Sequence, residues 1–361
     1  MRIGLIIYGQ LSHLSGGYIY DRKLVDFLTS QGDEVKVISI PWRDYPLRIT
    51  DNLNFKLIRQ LREMELDVLL QDELNHPSLF LVNRQLKKDA RFPIVSIVHH
   101  LRSNEVHSKL EHWIYQTVER AYLKTIDAFI FNSRTTSIAV QTMIGQNPCN
   151  VIAYPGGDRL GKGMRLAAIS QRSQSPGPIR LVFLGNLIPR KGLHTLLHAV
   201  STIMETNWTL EIIGRLDADP LYAGEMQNLA KALGITKRVM FRGQLDDADV
   251  IQTLSESHIM IVPSSYEGFG IIYLEGMGFG VIPVATTAGA ASEIIQQGEN
   301  GYLVQPDNSG ALASLIENLA ENRSRLEQVS QAARRHFNDF PSWQDSTSKI
   351  RDFLVSLCND Y

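Results

Sequence analysis

Two glutamates eight positions apart, Glu267 and Glu275, are the residues in this chain best placed to do chemistry. They stand in the stretch 263–301, PSSYEGFGIIYLEGMGFGVIPVATTAGAASEIIQQGENG. Glu267 falls in a loop with Gly268, Phe269 and Gly270, directly after an apolar run that reads as a strand. The glycines let the backbone bend and approach a ligand closely. Residues 271–279, from Ile271 onward, read as a helix. The loop therefore leaves unpaired N–H groups at a helix start, a natural seat for phosphate oxygens. Glu275 lies inside that helix, so one carboxylate from a loop and one from a helix are held around one pocket. For Glu275 the plain alternative is a solvated helix face, which its apolar neighbours oppose. Arg190 and Lys191 follow another strand-like run and supply cations. Their plain alternative is an exposed basic pair.

The first half offers a second set. Gly16 and Gly17 end a loop, residues 9–17, that follows the first apolar run. His99 ends another run, and open α/β sheets place functional groups at such strand ends. His99, His100, His107 and His112 do not have the spacing of a metal site on one helical face. No cysteine or carboxylate set completes one, so no metal is expected.

These residues need a scaffold, and the apolar pattern describes it. Strands are expected at 3–8, 34–40, 68–71, 94–99, 128–132 and 151–153, and again at 180–184, 209–213, 239–242, 259–262 and 282–285. Helix-like stretches, such as 18–30, 55–64 and 108–124, lie between them. The strand runs are apolar on both faces, as parallel strands covered by helices are. Residues 158–178 are rich in Gly, Ser, Arg and Pro and read as a linker. The expected organisation is two doubly wound α/β domains, at 1–158 and 179–340, joined by a linker at 159–178. Residues 343–357 read as a helix, and the segment 341–361 is expected to pack back on the first domain.

Length and composition agree. A chain of 361 residues exceeds one ordinary core. The formal charge of −2 gives no reason to expect nucleic acid as a partner. Cys149 and Cys358 lie far apart and form no metal or redox spacing, which fits a reducing compartment. No apolar run approaches the roughly 20 residues of a membrane-spanning helix. The run at 3–8 is too short for a signal-peptide core and reads as a buried strand. A cytoplasmic protein is expected, with any membrane contact peripheral. The basic residues Arg84, Lys87, Lys88 and Arg91 offer such a contact, against the plainer reading of a solvated helix face. The amphipathic stretch 113–123 reads as core packing first and as an acceptor or lipid groove second.

The E-x₇-E spacing of Glu267 and Glu275 resembles that of the retaining glycosyltransferases of family four, which have the GT-B fold. The resemblance runs along most of the chain. Residues 180–192 resemble the family's strand, Gly turn and Lys-Gly step. Residues 212–214, ending in Gly214, and 239–243 resemble the next two strand ends. Residues 298–306 resemble its closing "NGxLVxP" segment. Gly16–Gly17, His99 and Asn132–Ser133 match its N-terminal landmarks.

The resemblance implies a nucleoside-diphosphate sugar, UDP- or GDP-linked, bound in a central cleft as substrate, with no cofactor. A departing diphosphate gains negative charge, which cations and N–H groups stabilise. Arg190 and Lys191 are implied to bind the diphosphate, Glu275 the ribose hydroxyls, and Glu267 and His99 the donor sugar. Backbone around Gln244 and Leu245 is implied to meet the base. Many family members carry Arg after the Gly of the first strand end, but here the step is Gly185-Asn186-Leu187. Arg190 is expected to supply that charge. Glycines at 276 and 278 replace the family's usual alanines. The acceptor is expected to be a lipid, a polysaccharide or a small molecule. Competing readings on the same fold are an epimerase, a sugar phosphorylase and a non-catalytic nucleotide-sugar binder.

Overall fold

The computed structural model describes residues 1–13 and 15–361. Leu14, inside the 9–17 loop, lies outside the described residues. The chain forms two units: Met1–Pro155 with Ser342–Tyr361, and Gly156–Pro341.

Unit 1 is built on six strands: β1 (Arg2–Tyr8), β2 (Glu34–Ile40), β3 (Val68–Asp72), β4 (Ile94–Val98), β5 (Ala128–Phe131) and β6 (Cys149–Ile152). All pair in parallel, in the order β2-β1-β3-β4-β5-β6. The helices are α1 (Gly16–Ser30), α2 (Tyr45–Thr50), α3 (Phe55–Glu63), α4 (His76–Leu86), α5 (Lys109–Leu123) and α6 (Arg134–Ile144). Local chemistry sets several of their ends. Ser108 and Glu111 form a reciprocal capping box at the start of α5. Ser133 caps α6, which stops at Gly145 in the left-handed region. The centre of the sheet is dry: every residue of β3, β4 and β5 is buried. Ile6, Leu69, Val98 and Phe129 belong to one core with Leu79, Val82 and Tyr122 from the helices.

Unit 2 repeats the plan with β7 (Ile179–Leu184), β8 (Trp208–Ile213), β9 (Val239–Gly243), β10 (Ile259–Ile261), β11 (Ile282–Thr286) and β12 (Tyr302–Val304). The parallel order is β12-β11-β10-β7-β8-β9. Its helices are α7 (Leu166–Gln174), α8 (Leu193–Thr202), α9 (Pro220–Ala232), α10 (Asp247–Glu256), α11 (Ile271–Gly278), α12 (Ser309–Glu321) and α13 (Arg323–Asp339). In each sheet the chain order reverses once, between β1 and β3 and between β7 and β10. Ligands of open α/β sheets bind outside the strand carboxyl ends at such reversals.

The eleven expected strands are present and β12 is a twelfth. The unit boundaries differ from the expected ones. They fall at Pro155/Gly156 and Pro341/Ser342, and residues 159–178 are part of unit 2 rather than a linker. The polar composition of that stretch hides a docked helix. In α7, Ile169 and Ser173 are fully buried and Arg172 is 6% exposed. Arg172 donates to four carbonyls, those of Leu254, Ser255, Phe279 and Gly280, at 3.3, 3.1, 3.0 and 2.8 Å. The last helix, α14 (Trp343–Asp360), belongs to unit 1. Arg351 donates to both oxygens of Asp33, and Trp343 meets Tyr20 edge-on at 5.7 Å.

Unit 1 also buries carboxyl groups. Glu119 of α5 is fully buried and accepts from the backbone N and the hydroxyl of Ser103. Glu73, after β3, is 3% exposed. Burial pushes the pKa of each up to about 7, and Glu73 adds to the rise at Glu119.

Two outcomes follow from this packing. Arg172→Leu strips one charged donor group from four carbonyls, and should destabilise unit 2 by about 3 kcal/mol in urea unfolding. A loss of under about 1 kcal/mol would mean that those carbonyls find other donors. The second outcome is a pH dependence. The folded chain holds protons on Glu73 and Glu119 up to about pH 7, whereas the unfolded chain releases them near 4.5. The folded state thus binds more protons between those values, so this contribution to stability falls as pH rises through that window. Glu119→Gln should flatten the fall in urea midpoint there. An unchanged slope would show that Glu119 is ionised when folded.

Candidate functional site

The donor-matching residues of unit 2 gather at its order reversal. β7 ends at Leu184, followed by Gly185 and Asn186, and a short turn, Pro189–Lys191, then carries Arg190 and Lys191. β10 ends at Ile261, and the loop to α11 carries Glu267 to Gly270. Lys191 Nζ donates to Glu267 Oε2 at 2.7 Å, and Ser264 Oγ donates to the same oxygen at 3.0 Å. Arg190 donates to the carbonyl of Tyr266 at 2.7 Å and lies 3.8 Å from that oxygen. Burial would raise the pKa of Glu267. Lys191 and Arg190 overcome it and hold the group down at about 2. Glu267 is therefore a fixed anion that accepts hydrogen bonds and gives no proton near neutrality.

Gly270 precedes the first residue of α11, Ile271, with φ 96°. A Cβ there would stand 2.5 Å from the Tyr273 ring, so both the conformation and the space call for glycine. The first turn of α11 carries no acidic side chain, and its N-cap makes no side-chain hydrogen bond. Phe269 is buried and meets Phe340 at 6.1 Å, which anchors the loop. Gly214 follows β8, and its N–H donates to Gly243 at the end of β9. Gln244 and Leu245 come next, exposed and half-buried.

Glu275 has a partner that the sequence did not announce. It is 2% exposed, and its Oε1 accepts from Arg159 Nε at 2.6 Å. Arg159 also pairs with Asp247. Burial raises the pKa of Glu275 and Arg159 opposes the rise. Arg159 sits in the stretch taken for a linker, where nothing in the local pattern marks it as part of a site.

In unit 1, Gly16 and Gly17 begin α1. A Cβ on Gly17 would lie 3.0 Å from His99 Cδ2, so a side chain there would press on the imidazole. His99 Nε2 lies 3.3 Å from Asp21 Oδ1, and the Tyr20 ring stands edge-on at 5.2 Å. Burial would lower the pKa of His99, but Asp21, Asp72 and Glu73 raise it above its ordinary value. Asp21 Oδ2 is buried and accepts no hydrogen bond. Asn132 donates to the carbonyl of His99 at 2.7 Å, which fixes the strand end.

Two buried clusters combine carboxylates with an imidazole: Asp21, Asp72 and His99, and Glu73, His76 and Glu119. In each, candidate ligand atoms lie within 4.8 Å of one another. Neither was foreseen, because their members come from α1, the end of β3, α4, the end of β4 and α5. In the second cluster the His76 nitrogens already meet the carbonyl of Glu73 at 3.0 Å and the Tyr45 hydroxyl at 2.9 Å. His100 and His107 turn to Glu105 and to the carbonyl of Arg102. In the basic stretch, Lys87 pairs with Asp127. Among the described residues, no helix is long and apolar enough to cross a membrane.

Comparison with known proteins agrees with this geometry. The family model "Glycosyl transferases group 1" matches residues 167–336. A D-inositol 3-phosphate glycosyltransferase of Rhodococcus erythropolis is 27% identical over 254 residues, covering 68% of this chain and 57% of that relative. Among solved structures, sucrose-phosphate synthase from Thermosynechococcus elongatus superposes with a TM-score of 0.84 at 20% identity, covering 100% of both chains. The Anabaena protein HepE in complex with UDP-glucose gives a TM-score of 0.76 at 20% identity, again covering 100% of both. With two parallel six-stranded sheets and Lys191 and Glu267 joined at the reversal of the second, the chain has the GT-B fold, and the stretch of unit 2 that the family model matches is similar to the group 1 glycosyl transferases.

Proposed function

We propose that the chain transfers a hexose from a UDP- or GDP-linked donor to an acceptor, retaining the anomeric configuration and using no catalytic metal. The observation that carries this reading is the contact of Lys191 with Glu267, beside Arg190 and the α11 N-terminus. One carboxylate and two cations at a strand-end reversal suit a substrate with both hydroxyls and a diphosphate. The naming of HepE as a UDP-glucose complex supports a nucleotide sugar as the ligand.

In this reading the diphosphate lies on Arg190, Lys191 and the backbone N–H groups around Gly270 and Ile271. The bond from the anomeric carbon to the phosphate oxygen breaks, and its electron pair leaves with the diphosphate. Fixed positive charge stabilises that oxygen without reorganisation. The acceptor oxygen bonds to the anomeric carbon on the same face and passes its proton to the departing phosphate. Glu267, ionised at any ordinary pH, accepts hydrogen bonds from sugar hydroxyls. Glu275, oriented by Arg159, accepts from the ribose. Asp21 favours the protonated form of His99, which donates to the sugar. The acceptor is a sugar, a polysaccharide or a lipid-linked molecule.

Calorimetry tests the diphosphate assignment. Lys191→Ala should weaken UDP or GDP binding by about 1.5–3 kcal/mol and leave free nucleoside nearly unaffected. Equal losses for both ligands would remove Lys191 from the diphosphate. In steady-state kinetics with UDP- and GDP-sugars, His99→Ala should lower kcat far more than it lowers nucleotide affinity. The reverse pattern would place His99 away from the sugar.

A further inference from the structure

Among the described residues, two arginines that follow strand ends of unit 1, one after β2 and one after β4, have no acidic partner. Arg48 of α2 is 6% exposed. Its guanidinium carbon lies 4.8 Å from the centre of the Tyr8 ring and 4.6 Å from that of Trp42. Among the described residues it donates only through Nε, to the carbonyl of Arg43 at 2.6 Å. Arg102, after β4, stacks on Tyr45 and Tyr115 at 5.2 and 4.6 Å. Its NH2 makes one long contact, 3.5 Å, with the Tyr115 hydroxyl, and its buried Nε has no partner. Two other arginines differ: half-buried Arg159 is paired with Glu275 and Asp247, and buried Arg172, although its Nε has no partner among the described residues, donates to four carbonyls through its terminal nitrogens.

The nearby carboxylates do not neutralise the pair. Asp51 is taken by Arg43 and Ser78, and Glu119 by Ser103. Glu73 makes no ion pair with either arginine. Burial lowers the pKa of Arg48, Tyr8 opposes this, and Arg102 lowers it further, so the two cations feel each other. A buried, uncompensated charge is costly unless something pairs with it. Stacked guanidiniums with free N–H forks match the geometry of phosphate oxygens. The pair lies near the strand end that carries His99: Tyr8 ends β1, Arg102 follows β4, and Glu73 feels both His99 and Arg102.

We propose that Arg48 and Arg102 bind a phosphate group carried by the acceptor, in an aromatic cage formed by Tyr8, Trp42, Tyr45 and Tyr115. The inference deepens the transfer reading and rests on it for the word acceptor. The phosphate belongs either to a dissolved sugar phosphate or to a lipid headgroup. Trp42, Leu47 and Trp113 are exposed around the cage, so a membrane-borne headgroup is physically compatible.

The test uses the full chain saturated with UDP, so that the cations of unit 2 are already occupied. Inorganic phosphate and glucose 6-phosphate are titrated by calorimetry. Vesicles of phosphatidylcholine, with and without phosphatidic acid, are then tested by co-sedimentation. Saturable binding of the dissolved phosphates, or sedimentation only with phosphatidic acid, is expected. Arg102→Gln should weaken whichever is seen by at least about tenfold, with UDP affinity unchanged. Arg102→Lys, which keeps the charge, should recover part of the loss. Urea unfolding of both variants separates misfolding from lost binding. No response to any probe in the native chain, or an equal response in native chain and Arg102→Gln, overturns the proposal. Loss of UDP binding in the native chain would instead strike the transfer reading. Phosphate binding that still depended on Arg102 would then leave the anion site standing.

Discussion

The contact between Lys191 Nζ and Glu267 Oε2 ties the segment after β7 to the segment after β10. Those strands are neighbours in the sheet, yet their connections run in opposite directions from the reversal. A gap opens between the two loops, and a charge pair spans it. Everything else in unit 2 serves that placement. Gly270 turns the chain into α11, Phe269 anchors the loop on Phe340, and Ser264 fixes the carboxylate that Lys191 meets. Because all strands run parallel, their carboxyl ends lie on one edge, and side chains from distant sequence converge there without a dedicated scaffold.

The same edge of unit 1 handles charge differently. In unit 2 each buried anion has a cation: Glu267 has Lys191, and Glu275 has Arg159. In unit 1 the acids and bases are interleaved and only partly matched. Asp21 has one oxygen without a partner, Glu73 and Glu119 keep their protons to about pH 7, and Arg48 and Arg102 lack carboxylates. The difference is one of completeness. A compensated site holds its shape alone and exchanges partners when ligand arrives. An uncompensated one gains its stabilising contacts from the ligand.

This contrast also explains what could be read from the residues alone. The alternation of short apolar runs with helical stretches was legible because parallel strands are buried on both faces, so eleven strands stood out. β12, three half-buried residues at a sheet edge, gave no such run. The helix α7 looked like linker because its anchoring residue is an arginine, which apolar periodicity does not register. The unit 2 site was legible because Glu267 to Glu275 lie within one loop and one helix. Arg159 was not, since it reaches Glu275 across more than a hundred residues of chain. The unit 1 clusters draw on residues 21, 72–76, 99–102 and 119, and only the folded sheet brings these together.

Electrostatics then orders the roles of the two histidines closest to the unit 1 edge. His76, buried between Tyr45 and the carbonyl of Glu73, has its pKa driven down by burial to about 4 and stays neutral. His99 is raised because Asp21, Asp72 and Glu73 outweigh burial. Two imidazoles in one unit are thus pushed in opposite directions: burial favours the neutral form of His76, and neighbouring carboxylates favour the protonated form of His99. The neutral one accepts from or donates to fixed neighbours and acts as structure. His99 faces the Asp21 carboxylate, and donation from a protonated imidazole to an oxygen with growing negative charge costs little reorganisation. Of the two, His99 is the one whose surroundings favour a proton to donate, which is the role proposed for it on the sugar side.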